Sequence, residues 1–83
     1  MIKTPLGIGL TGQRTARSIE RTRAAGGVSQ RQLAERVTAL GRPMTFTMLS
    51  RIERRQRRCD VDDLVAIATA LGVSPLDLLS EAP

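Results

Sequence analysis

"SQRQLAERVTALGRPMTFTMLSRIER", residues 29–54, carries two helix-start signals of the same construction. In the first, Ser29 has the short oxygen side chain that an N-cap needs. Gln32, three residues on, can return a hydrogen bond to the cap's own N–H, completing a capping box. Val28 before the cap and Leu33 after it form a hydrophobic staple. Leu33, Val37 and Leu40 continue at helical spacing and Gly41 stands where a left-handed cap belongs, so a helix is predicted over about 30–40. Arg42-Pro43 then forces a turn, because the residue before a proline is pushed out of the helical region. In the second signal Thr45 is the cap, with Met44 and Leu49 as the staple. Leu49 and Ile52 point inward with Met48 beside them, whereas Thr47, Ser50, Arg51 and Arg54 share the opposite face.

Working outward, the preceding stretch "GQRTARSIERTRAA" has a helical composition from about Gly12 to Ala25 but a thin apolar face, mainly Ala16 and Ile19. Gly26-Gly27 stops it. Residues 1–10, with Pro5, Gly7 and Gly9, read as an irregular arm. Downstream, Asp60 caps a fourth helix with Asp63 at its third position, carrying Val61, Leu64, Val65, Ile67, Ala68 and Leu71 up to Gly72. Ser74-Pro75 with Asp77 opens a short fifth helix: a cap, then proline at the first helical position, then an acid in the first turn. Five short helices predict an all-α fold, with residues 11–83 as a single domain. A chain of 83 residues has room for one modest core. With Phe46 the only aromatic, that core must be built from Leu, Ile, Val, Met and Ala.

Charge is divided unevenly. Residues 1–58 hold all 13 basic residues against Glu20, Glu35 and Glu53, and residues 59–83 hold five acids and no base, so the two parts stand near +10 and −5. Such a basic excess suits a phosphate-bearing partner, on nucleic acid before membrane. Twelve of the cations are Arg, the side chain suited to bidentate contact with phosphate or guanine. No apolar run reaches the length of a membrane span, and "MIKTPLGIGLTG" is too short and glycine-rich for a secretory signal. The single Cys59 precludes an internal disulfide and points to a reducing cytoplasm. With no His and one Cys, zinc ligation and His-dependent catalysis lack material, and neither an enzyme nor a cofactor is expected. "GIGLTG" fits a dinucleotide-binding pattern but follows no predicted strand. "DVDD", residues 60–63, lacks calcium-loop spacing and reads as helix capping. Cys59 reads as a small buried residue.

Two consecutive helices joined by a turn, the second presenting Thr, Ser and Arg outward, have the anatomy of a helix-turn-helix. "SQRQLAERV", "TMLSRIER" and "LVAIATALGVSPLDLL" together resemble the phage-repressor-type, lambda-repressor-like helix-turn-helix proteins of the XRE family, over about residues 13–80. The resemblance implies a five-helix DNA-binding domain acting as a small bacterial transcription regulator in the cytoplasm, associated with the nucleoid. It implies that Phe46, Thr47 and Arg51 face base edges from the recognition helix, about 46–55, in the major groove. Gln30 would meet a phosphate at the start of the second helix. Thr45, Ser50, Arg54, Arg55, Arg57 and Arg58 are the further candidates for phosphate contact. Arg23 and Glu53 match a pair that links the first and third helices in many members, an expected structural ion pair.

The chain also departs from the family pattern. "TALGRPM" makes the turn about five residues longer, so either the second helix gains a turn through Leu40 or the loop bulges toward DNA. Arg55 occupies the place of the glycine that commonly ends the recognition helix, so the helix is expected to run on toward Gln56. Arg51 has the chemistry of a guanine reader, with a phosphate contact as its alternative, and Thr47 either touches a base or supports the helix. Phe46 either packs on a thymine methyl or tucks against Met44 or Pro43. The expected partner is double-stranded DNA, bound by a homodimer whose surface would include Leu76, Leu78 and Leu79 unless these leucines complete the monomer core. The rival readings are a protein-binding module of the same fold, facing a toxin or sigma factor, and a non-specific nucleoid binder.

Overall fold

The computed structural model describes residues 7–80, which form five helices: α1 (Leu10–Ala25), α2 (Gln30–Ala39), α3 (Phe46–Glu53), α4 (Val61–Leu71) and α5 (Pro75–Leu79). No strand occurs among the described residues. Helices α1 and α4 pack against the α2–α3 pair, and α5 closes the other side against α1 and α4. Ile19, Leu33, Val37, Leu49, Ile52, Ile67 and Leu78 are fully buried at the centre. Each comes from the apolar stripe of its helix, so aliphatic periodicity alone assembles the core.

The caps form as the local chemistry requires. Ser29 accepts from the Gln32 N–H while the Gln32 side chain accepts from the Ser29 N–H. Asp60 with Asp63 and Ser74 with Asp77 build the same reciprocal pair on α4 and α5. Thr45 accepts from the Met48 N–H at the start of α3. Helix α1 begins at Leu10, earlier than the composition suggests, because the Gln13 side chain donates to the Ile8 carbonyl and ties down its first turn. The expected arm therefore overlaps the helix at residue 10. Its residues 1–6 lie outside the described residues.

Four helices end in the same wrapped turn, in which the N–H beyond the cap reaches back five residues: Val28 to Arg23, Arg42 to Val37, Gln56 to Arg51 and Val73 to Ala68. The residue at the bend is left-handed in each case, and it is glycine in α1, α2 and α4. In α3 it is Arg55, at φ 61°. The expected run-on of α3 toward Gln56 is thus corrected: the helix stops at Glu53, with Arg54 as its cap. Satisfying the Arg51 and Ile52 carbonyls outweighs the cost, roughly 1–2 kcal/mol, of placing a Cβ in that conformation.

Candidate nucleic-acid interface

Helix α3 is amphipathic by burial as well as by sequence. Leu49, Ile52 and Glu53 are buried, while Phe46, Thr47, Arg51 and Arg54 are exposed and Ser50 is half-buried. The outward residues therefore ride on a helix whose inner side is locked in the core. Beyond it, Arg55, Arg57 and Arg58 are exposed, and Arg58 donates to the Gly7 carbonyl at 3.3 Å. The Thr45 oxygen accepts within the cap, which leaves its hydroxyl proton for an outside acceptor.

What sets the angle between α2 and α3 is a knot around the buried Glu53. Arg23 Nε donates to Glu53 Oε2 at 2.7 Å and its Nη2 to Oε1 at 2.9 Å, a bidentate fork. A third nitrogen of the same guanidinium donates to the Val28 carbonyl at 2.9 Å. Gln30, the first residue of α2, donates to Glu53 Oε1 at 2.8 Å. The hydrogen bond to Glu53 raises the Arg23 pKa against the opposing effect of burial. One carboxylate thus joins α1, α2 and α3. Gln30, half-buried at the start of α2, is held there by α3.

The lengthened turn is held elsewhere. Helix α2 runs to Ala39 with Leu40 as its cap, and the Thr38 hydroxyl both donates to the Met44 carbonyl and accepts from the Met44 N–H. Arg42 Nε donates to Asp63 Oδ1 at 3.0 Å, and its Nη2 donates to Asp60 at 3.0 and 3.2 Å. The turn is therefore tied to the start of α4, and Arg42 and Arg23 are both engaged within the protein. This clasp was not legible in the sequence, where Arg42 merely precedes a proline. Asp60 is held below the usual carboxylate range, first by the Asp63 N–H and then by Arg42.

Phe46 is 41% exposed at the first position of α3. The Arg31 guanidinium carbon lies 5.0 Å from the ring centroid, and the ring lines a shallow groove together with Ala34 and Met44. Cys59 is half-buried, and burial, with Asp63 and Asp60 adding to it, pushes its thiol up to about 12. It is therefore un-ionised at neutral pH. Of the candidate dimer leucines, Leu78 is fully buried in the core, while Leu76 and Leu79 are exposed. No described helix is long and apolar enough to cross a membrane.

Known proteins match this arrangement. The helix-turn-helix family model HTH_3 matches residues 19–78. The clp gene regulator ClgR from Corynebacterium glutamicum is similar at a TM-score of 0.75 and 28% identity, over 86% of this chain and 70% of that one. A second structure of ClgR is covered over 87% of each chain at the same similarity. The restriction-modification controller protein C.AhdI from Aeromonas hydrophila is similar at a TM-score of 0.72 and 25% identity, over 81% of this chain and 94% of that one. No curated protein sequence matches the chain. An all-α fold of lambda-repressor type, a buried knot setting the α2–α3 angle and a basic, exposed α3 coincide with these matches, and the chain belongs to the XRE-type helix-turn-helix family of DNA-binding transcription regulators.

Proposed function

We propose that this protein binds double-stranded DNA at specific sequences, with α3 in the major groove, as a small bacterial regulator acting in the cytoplasm at the nucleoid. The observation that carries this reading is Arg51. It is exposed at the middle of α3, and no carboxylate among the described residues pairs with it, unlike Arg23 and Arg42. A fixed helix bearing a free guanidinium suits bidentate contact with guanine O6 and N7. Thr47, one turn earlier, supports a base contact, and Thr45, Gln30, Ser50, Arg54, Arg55, Arg57 and Arg58 surround the pair as phosphate contacts. The reading is of a binding protein with no catalytic step.

A homodimer on two half-sites about one helical turn apart completes the proposal. Val61, Leu76 and Leu79, each exposed, support an apolar contact between copies at the α4–α5 end. Selection from a random duplex library at physiological salt tests both points. An enriched inverted repeat is the expected result. Binding that vanishes as salt rises, with no enriched sequence, would mean that the arginines hold phosphate alone.

A further inference from the structure

Arg31 is the second residue of α2 and Phe46 the first of α3, so the two side chains meet where both helices begin. The guanidinium carbon stands over the ring at 5.0 Å from its centroid, within reach of a cation–π contact. Among the described residues no carboxylate competes for this guanidinium; Glu35, one turn on, makes no ion pair with it. Below the pair lies a groove lined by Ala34, Thr38 and Met44. A ring that is 41% exposed at a helix start has several rotamers open to it, and a cation over one face removes most of that freedom. A contact of the cation with the ring uses no hydrogen-bond acceptor, so the guanidinium N–H donors remain for other partners.

We propose that Arg31 is a positioning residue for methyl readout: it clamps the Phe46 ring so that the exposed part of the ring meets the C5-methyl group of a pyrimidine in the major groove. The inference rests on the DNA-binding reading above and deepens it. Thymine and 5-methylcytosine both carry that methyl group, and the apolar ring distinguishes it from the bare C5 of uracil or cytosine. A phosphate accepting from the same guanidinium would couple backbone positioning to base reading.

The test uses the full chain and the operator recovered by selection. Each thymine is replaced in turn by uracil, which removes only the methyl group, and affinity is measured for the native chain, Phe46→Ala, Arg31→Ala and Arg31→Lys. At one thymine per half-site the native chain should bind the uracil duplex roughly fourfold more weakly, the loss expected for one buried methyl group. Phe46→Ala should abolish this discrimination, Arg31→Ala should reduce it, and Arg31→Lys should restore part of it, with thermal unfolding confirming that each variant is folded. If 5-methylcytosine at that position binds more tightly than cytosine, the site reads a methyl group of either source; if only the thymine duplex responds, the source is thymine. An operator at which no uracil substitution matters, or one at which Arg31→Ala keeps full discrimination, overturns the inference while leaving sequence-specific binding intact. Failure to enrich any operator overturns both.

Discussion

The molecule contains two arginine–carboxylate knots built from the same chemistry and placed in different surroundings. In one, Glu53 is buried and every side-chain hydrogen bond it receives comes from a distant element, Arg23 on α1 or Gln30 on α2. In the other, Asp63 is equally buried, but one of its oxygens accepts from the N–H of Asp60, three residues away, and only the other depends on Arg42. Removing the arginine therefore leaves the first carboxylate with a single donor from another helix, Gln30, and leaves the second as a working helix cap. The Glu53 knot ties α1, α2 and α3 together. The Arg42 clasp holds an elongated turn against α4. An ion pair's importance is set here by what remains when one partner goes.

Arg23→Ala breaks the first knot and should have the largest effect, destabilising the fold by about 3–5 kcal/mol because Glu53 is left buried without its cation. Chemical denaturation measures it, and a loss below about 1 kcal/mol would show that Gln30 and water suffice for Glu53. Arg51→Ala, on the exposed side of the same helix, should leave the unfolding midpoint unchanged. It should weaken operator binding by about 1–3 kcal/mol, with the loss concentrated at a guanine position. Equal losses on all duplexes would assign Arg51 to a phosphate.

Arg55→Gly should raise stability by about 1 kcal/mol by relieving the left-handed Cβ, and should lower the salt dependence of DNA binding by about one ion. Arg42→Ala should lower the unfolding temperature less than Arg23→Ala does. It should also move acid unfolding to higher pH. Asp60 has a folded pKa below its ordinary value, so its contribution is present above the usual carboxylate range and is lost as pH falls through the depressed value. Without Arg42 part of that depression disappears. The smallest effect concerns Cys59. Its folded pKa is raised to about 12, so stability should be full below the ordinary thiol value and decline as pH rises toward 12. A Cys59→Ala variant should show a flatter alkaline limb in the same titration.

The α3 face was legible because burial follows helical period: Leu49 and Ile52 went in, and Thr47 and Arg51 stayed out. The Arg23–Glu53 pair was legible through family resemblance alone, since nothing local ties residues 30 positions apart. Arg55 misled the reading because its conformation is set by two carbonyls at the helix end rather than by the residue's own preference. The partner of Phe46 was missed for a related reason. Pro43 and Met44 are its neighbours in the chain, whereas the guanidinium comes from α2, the preceding helix.

By itself the sequence determined the helix starts at Ser29, Thr45, Asp60 and Ser74 and the aliphatic stripes of the core. Those signals act over three or four residues, so no tertiary context is needed to read them. Only the tertiary structure decided which arginines are engaged inside the protein and which face outward. Arg23, Arg31 and Arg42 each meet a partner at least 15 positions away in the chain, while Arg51 meets no carboxylate among the described residues. Charge composition is blind to that division, because an arginine's role depends on the carboxylate or ring that folding brings beside it.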